Sequence, residues 1–241
     1  MRPGEKRRPH GAAWAESLRP HSAAWRENPP AAQWTIIEPI GTISRMPVPR
    51  GTSLDPDRTR AALLDSATGI LYERGLDGVG VAELCRAVGA SKETLYRHFG
   101  SKDGLVEAVL AARSDRVVDW LTETVEAAGP DPAAQLGALF DALGGWYAEP
   151  GFRGCAIVNA ATQRHAPPAR TAADRHLGRY LALLIDIAER AGVSGPGLLA
   201  RQLLILLEGA TVVADHHDPD GRAAEDAKQA ALALLDRAAR R

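Results

Sequence analysis

Cysteine and aromatic residues are scarce in this sequence. Its 241 residues include two cysteines, Cys85 and Cys155, and only 5% of them are aromatic. Two thiols so far apart provide neither a disulfide framework nor the neighbouring cysteines that bind zinc. The sequence therefore predicts no structural disulfide, no bound metal and no cofactor, and it favours a reducing compartment.

Long apolar runs are missing as well. The longest unbroken run of Leu and Ile covers residues 203–207, far short of the roughly 20 apolar residues that span a bilayer. Basic residues stand near the N-terminus, but polar residues and a proline interrupt what would be the apolar part of a secretory leader. We expect no signal peptide, no contact with a membrane and a cytoplasmic location.

The residue types that are present favour helices. Ala and Leu dominate, and both lose little side-chain freedom in a helix, whereas β-branched and aromatic residues are sparse. No segment shows the alternation of apolar and polar residues that is typical of strands. The sequence predicts an all-α fold with one large or two small domains.

Charge of either sign is nearly balanced, with a net charge of −1. Residues 1–54 carry four more bases than acids, and residues 55–110 carry two more acids than bases. An argument for nucleic-acid binding must therefore rest on where particular cations lie rather than on total charge.

Residues 1–54 differ in composition from the rest and contain eight of the 16 prolines. Because they show no helical period, we predict a disordered extension. A short unit recurs within it and ends in Trp14 and Trp25, with a weaker third copy ending in Trp34. Three interpretations stay open: an arm that contacts DNA or a partner, an unstructured tail, or a misassigned start with translation beginning at Met46.

Helix signals begin at Asp55, which can cap a helix, and at Pro56, which suits the first helical position. Apolar spacing and Gly or Pro punctuation then predict nine helices, over residues 56–75, 81–88, 91–99, 101–129, 132–148, 155–163, 168–191, 196–215 and 223–240.

The second and third helices have the dimensions of a helix-turn-helix motif. Apolar residues can pack inward against the first helix, namely Val81, Leu84, Val88, Leu95 and Phe99. Polar residues suited to bases or phosphates then occupy the outer surface of the third helix, namely Ser91, Lys92, Thr94, Tyr96, Arg97 and His98. The alternative is a helical hairpin that is buried in a bundle. It gives no reason for the exposed polar side chains of the third helix.

The stretch from Val81 to Leu105 resembles the tetracycline-repressor (TetR) family of bacterial regulators, and the resemblance runs from about Asp57 to Leu110. Its most specific part is Ser91-Lys92-x-Thr94-Leu95-Tyr96-x-His98-Phe99-x-Ser101-Lys102. The resemblance implies a DNA-binding head over residues 55–101 and a ligand-binding and dimerisation body over 102–241. It also implies a homodimeric repressor that leaves its palindromic operator when a small molecule binds.

Carried over to this sequence, the resemblance implies DNA contacts from Ser91, Lys92, Thr94, Tyr96, His98 and Lys102, with Tyr96 and Lys102 mainly on phosphates. The chain departs from the family pattern at three positions. Gly80 stands where a Thr or Ser usually caps the second helix, and Cys85 replaces a customary Ala. Glu93 replaces a small residue, and we expect it to form an i,i+4 ion pair with Arg97 rather than a base contact.

The last two helices carry more apolar surface than one core-facing stripe requires. The eighth is apolar over most of its circumference, and the ninth offers small alanines that allow close approach, as the homodimer interface implied by the resemblance would need. Candidates for a ligand pocket between the fourth and eighth helices are Phe140, Trp146, Tyr147, Phe152, Cys155, Asn159, Gln163 and Glu208. Plain core packing is the alternative for the aromatic members.

Other functions are weighed on three features. Cys155 could make the chain a thiol-switched regulator if it were exposed and acidic. Cys155 with His165 is the sole hint of an enzyme, and we predict that the chain is not one. The acids and histidines over residues 215–220 carry metal-ligating atoms, but helical neighbours point about 100° apart, so a solvated helix end is favoured.

Overall fold

The computed structural model describes residues 56–240, which form nine α-helices and no strand. The helices are α1 (Pro56–Arg74), α2 (Val81–Val88), α3 (Lys92–Phe99), α4 (Lys102–Ala127), α5 (Pro132–Tyr147), α6 (Ala156–Gln163), α7 (Ala169–Arg190), α8 (Pro196–His216) and α9 (Ala223–Ala239). The prediction of an all-α fold is confirmed. The predictions for residues 1–54 and for the Asp55 cap lie outside the described residues.

Helix ends follow the local signals in the sequence. Gly89 ends α2 with φ at 67°, a left-handed conformation that glycine adopts without steric cost. The Ser91 hydroxyl caps α3 by accepting a hydrogen bond from the Thr94 amide, and Ser101 caps α4 in the same way. Gly80 provides no side-chain cap for α2, as predicted.

The first three helices, called the head here, enclose a small apolar core. Leu84 of α2 and Leu95 of α3 are 1% and 0% exposed, and α1 contributes Leu63 and Ala67. Val81 and Phe99 are half-buried at the edge of this core. Of the predicted inward face, Leu84 and Leu95 are buried and Val81 and Phe99 pack against them, whereas the side chain of Val88 lies outside the described part of the structure.

The remaining helices, called the body here, form a bundle in which α5 packs on α9, α7 on α8 and α8 on α9. Its centre is fully buried and includes Leu136, Phe140 and Leu203. One buried apolar cluster continues from Ala67 through α4 to Ala173 of α7. Because this cluster joins head and body, the boundary between residues 101 and 102 stays a prediction.

Helix α8 combines buried and exposed apolar residues. Leu199, Leu203 and Leu207 face the core, whereas Leu198 and Ile205 are 56% and 70% exposed. Within residues 56–240, α8 is the one helix whose length and hydropathy would suffice to cross a membrane, and only a third of it is buried. Core helices of soluble proteins meet the same criterion of length and hydropathy. Helix α8 therefore differs from an ordinary core helix in its exposed apolar side chains, which form a surface of the kind that other molecules bind.

Candidate nucleic-acid interface

Helix α3 presents polar side chains on one face and a buried anchor on the other. Leu95 is fully buried, whereas Ser91, Lys92, Tyr96 and Arg97 are exposed. A helix anchored in this way displays its outer face to a partner such as the major groove.

Three of the predicted contact residues are less exposed than the other residues predicted to contact DNA. Thr94 and His98 are half-buried, and the Thr94 hydroxyl lies 2.9 Å from that of Ser91. Lys102 is half-buried as well, and its ammonium donates a hydrogen bond to the Leu76 carbonyl at 2.7 Å. The sequence did not predict this last bond, because it joins residues on different elements.

The charges of α3 are partly neutralised within the helix. Arg97 Nη2 lies 2.9 Å from Glu93 Oε1, which confirms the predicted i,i+4 ion pair. Lys92 is exposed at the start of the helix. The cation best placed to meet a phosphate without first breaking a contact is therefore Lys92.

The loop after α1 is tied to the end of α6. Gln163 Oε1 accepts a hydrogen bond from the Leu76 amide at 2.9 Å. The next residue, Arg164, forms ion pairs with Asp77 at 2.9 Å and with Asp103 at 2.8 Å. Gln163 and Arg164, called the α6 clasp here, connect the body to the head.

The aromatic residues predicted to line a pocket pack on one another. The rings of Trp146 and Phe152 meet edge to face at 5.0 Å, and the Tyr147 ring lies 5.0 Å from that of Phe152. Phe140 is fully buried. None of these four residues lines either of the two cavities described below, and both the pocket assignment and the alternative of core packing stay predictions.

Of the predicted pocket residues, Asn159 and Gln163 do line a cavity. Its volume is about 60 Å³, and its walls come from α1, α4 and α6. A second, more open cavity of about 240 Å³ lies between α4 and α7 and is bordered by Glu107, Asp115 and Arg175. The acids and Arg175 at this second site already form ion pairs.

Cys155 is buried beside an imidazole that the sequence did not single out. Its sulfur lies 3.6 Å from His176 Nε2, and His176 Nδ1 lies 3.0 Å from the Ser114 hydroxyl. Burial raises the pKa of Cys155 to about 12 and lowers that of His176 to about 4, so both are neutral at neutral pH. The suggested partner His165 is exposed instead.

Four buried polar atoms find no hydrogen-bond partner among the described residues: Arg113 Nη2, Gln135 Oε1, Trp146 Nε1 and Glu208 Oε1. Burial raises the pKa of Glu208 to about 7. Neither Arg113 nor His176 was predicted to be functional, although the position of Arg113 in the sequence carried a signal. Arg113 lies four residues from both Val109 and Val117 on the buried face of α4, and a polar residue at such a position marks a buried charge.

Among the acids and histidines that follow the last turns of α8, Asp218 caps the start of α9. The two carboxylate oxygens of Asp218 accept hydrogen bonds from the Arg222 and Ala223 amides at the start of α9. Among residues 56–240, no group of three or more potential ligands is arranged to bind a metal ion.

A short helix followed by a tight glycine turn and a capped, exposed second helix, set on an all-helical body, defines a DNA-binding regulator of the helix-turn-helix class. The family model for bacterial regulatory proteins of the tetR family matches residues 63–109. This match covers most of α1, the whole helix-turn-helix motif and the start of α4.

Similar proteins extend the comparison beyond the head. A solved TetR-type transcriptional regulator from Streptomyces avermitilis is 31% identical; the match covers 75% of this chain and 97% of that one, with a TM-score of 0.63. A TetR-family transcriptional regulator from Streptomyces coelicolor is 28% identical, with 76% and 97% covered and a TM-score of 0.65. The chain belongs to the TetR family of bacterial transcriptional regulators.

Curated relatives match over shorter stretches of the chain. The transcriptional activator FasR of Mycolicibacterium smegmatis is 36% identical over 76 residues, 32% of this chain and 35% of that protein. The transcriptional repressor KstR2 of Rhodococcus jostii is 34% identical over 93 residues, 39% of this chain and 45% of that protein. The match thus spans less than half the length of these two transcriptional regulators.

Proposed function

We propose that this chain represses transcription as a homodimer that binds a palindromic operator and leaves it when a small molecule binds. The observation that carries the proposal is the exposed polar face of α3 above a fully buried Leu95. A two-fold dimer would place two such helices roughly 34 to 36 Å apart, one turn of DNA. Such a protein would act in the cytoplasm, where the chromosome lies.

The proposed DNA contacts come from Ser91, Lys92, Thr94, Tyr96, Arg97, His98 and Lys102. Lys92 and Tyr96 are exposed and would contact phosphates or base edges, whereas Thr94 at the first turn of α3 would contact a thymine methyl group. To contact DNA, Arg97 would have to break its ion pair with Glu93, and Lys102 would have to give up its hydrogen bond to the Leu76 carbonyl.

Fluorescence anisotropy with DNA from upstream of the gene tests these contacts at several salt concentrations. Lys92→Met should weaken binding to all sequences alike and reduce the salt slope by about one unit. Thr94→Ala should instead alter the preference among operator variants. Arg170→Met, which removes an exposed cation at the start of α7, serves as the control. Parental binding by both α3 variants at every salt concentration would remove the assignment.

The proposed dimer interface consists of α8 and α9. Four apolar side chains of α8 are 46 to 70% exposed, namely Leu198, Ile205, Val212 and Val213. A contiguous apolar surface of this kind is usually covered by another chain. Light scattering of Ile205→Glu should give a monomer, whereas Ala133→Glu on the exposed start of α5 should leave the dimer intact.

Release from the operator would follow from a population shift. A ligand can change DNA affinity only by its different affinity for two arrangements of head and body. The proposed division into a head ending near residue 101 and a body from residue 102 places the α6 clasp between the two. Mobility shifts with and without candidate small molecules test this step.

A further inference from the structure

Arg113 brings an unpaired charge into the interior. Its side chain lies on the inner face of α4 and is 4% exposed, and Nη2 has no hydrogen-bond partner among residues 56–240. The guanidinium carbon lies 5.1 Å from the centre of the Tyr72 ring. Burial lowers the pKa of Arg113, but an arginine keeps its charge in a protein. The Nη2 nitrogen of this buried cation therefore lacks an acceptor.

Within residues 56–240, no carboxylate favours the charge of Arg113. The groups that favour its charge are Tyr72, Cys155 and Tyr180, and burial raises the pKa of each, so that they are uncharged at neutral pH. The acids Asp77 and Asp103 are paired with Arg164 of the α6 clasp.

Arg113 also borders the cavity between α1, α4 and α6. No Asp or Glu lines this cavity, and its apolar wall includes Leu71, Val109 and Leu110. About 60 Å³ exceeds several-fold the roughly 10 to 15 Å³ that one water needs. The space suits a ligand of a few non-hydrogen atoms with one charged end and one apolar end.

We propose that this cavity binds a small organic carboxylate whose oxygens accept hydrogen bonds from Arg113 and whose short apolar part contacts Leu71, Val109 and Leu110. The planar guanidinium fork matches a carboxylate in a two-point contact. Thr68, Tyr72 and Asn159 also line the cavity, but their side chains already donate hydrogen bonds to backbone carbonyls. A phosphate dianion needs more free donors than remain, so its desolvation would be poorly compensated.

The walls of the cavity belong to both parts of the protein. Leu71 lies on α1 of the head, whereas Asn159 and Gln163 lie on α6 beside the clasp. A carboxylate bound there would favour the arrangement of head and body that fits it. This regulatory consequence rests on the proposed function, whereas the binding itself does not.

Calorimetric titration of the purified full chain with sodium acetate, propionate, butyrate and hexanoate tests the site. At least one carboxylate should bind once per chain, and butyramide and inorganic phosphate should bind at least about tenfold more weakly than the best carboxylate. Arg113→Met should weaken binding by about tenfold or more, whereas Arg116→Met, which removes an exposed cation one turn along α4, should bind like the parent.

Other outcomes overturn the proposal. The site would be refuted if none of the four carboxylates gave a heat of binding, or if Arg113→Met bound the best carboxylate as tightly as the parent. Tighter binding of phosphate than of any carboxylate would refute it as well. If Arg113→Met does not fold, Arg113→Lys keeps the charge without the fork and should still bind about tenfold more weakly. Fluorescence anisotropy with operator DNA separates the binding site from its proposed regulatory role. If a carboxylate binds and the affinity for DNA does not change, the site is supported and its regulatory role is overturned.

Discussion

Gln163 accepts a hydrogen bond from the Leu76 amide at 2.9 Å and so joins the last residue of α6 to the loop that follows α1. The carbonyl of the same Leu76 accepts a hydrogen bond from Lys102 at the start of α4. Both backbone polar groups of Leu76 are thus satisfied by side chains from other helices. The position of the loop below the recognition motif depends on the body.

Arg164→Met removes both ion pairs of the clasp while Gln163 stays in place. The three side chains are partly exposed, at 29%, 69% and 58% for Arg164, Asp77 and Asp103, so we expect a loss of about 1 kcal/mol in the free energy of unfolding. Urea titration measures this loss. Arg170→Met removes a pair within a single helix and should cost less; equal losses would show that the clasp contributes nothing beyond a local pair.

Lys102→Met should have two effects, because Lys102 is bonded to Leu76 and is also a proposed phosphate contact. Loss of the hydrogen bond should lower the free energy of unfolding by about 1 kcal/mol, and loss of a phosphate contact should reduce the salt slope of DNA binding by about one unit. Lys92→Met, at an exposed position, should change the slope alone. An unchanged slope in Lys102→Met would confine this lysine to its structural contact.

The recognition motif and the helix boundaries could be predicted from the sequence because their signals are local. Gly89, Ser91 and the spacing of Leu84 and Leu95 determine the turn, the cap and the buried face within a few residues. The clasp could not be predicted, because Leu76 and Gln163 are far apart in the chain and either could have met another partner.

The pocket was harder to predict than the head. Aromatic residues such as Trp146 and Phe152 serve core packing and ligand binding equally well, and here they contact one another. The imidazole beside Cys155 belongs to His176 because α7 packs on α6, and only a tertiary contact could distinguish it from His165.

Glu208→Gln should change how stability depends on pH. The pKa of Glu208 is raised to about 7 in the folded chain from an ordinary 4.5, so the folded state binds the extra proton between these values. The free energy of unfolding of the parent therefore falls as pH rises from about 4.5 to 7, by up to about 3 kcal/mol from this residue. Urea titrations across this range should show the variant gaining on the parent as pH rises.

His176→Gln should show the opposite trend. Burial and the neighbouring cations Arg179 and Arg113 lower the pKa of His176 to about 4 from an ordinary 6.5, so the unfolded state binds the extra proton. The parent loses up to about 3 kcal/mol of stability from this residue as pH falls from about 6.5 to 4. The variant should gain on the parent as pH falls, and a difference that is constant with pH would contradict the assignment.

Both cysteines should resist thiol reagents in the native protein. Cys85 and Cys155 are each 6% exposed, and burial raises the pKa of Cys155 to about 12, so little reactive thiolate forms. A colorimetric disulfide reagent should modify both thiols rapidly in guanidinium chloride and only slowly without it. Rapid native modification that Cys155→Ser abolishes would favour a thiol-switched regulator instead.

The apolar cluster that passes from α1 through α4 to α6 and α7 bears on protein engineering. A chimera that places this head on the body of another regulator would expose the underside of α1 and leave Leu76 without its acceptor and donor. Such a graft would need the matching end of α6, with Gln163 and Arg164, to be transplanted together with the DNA-reading part.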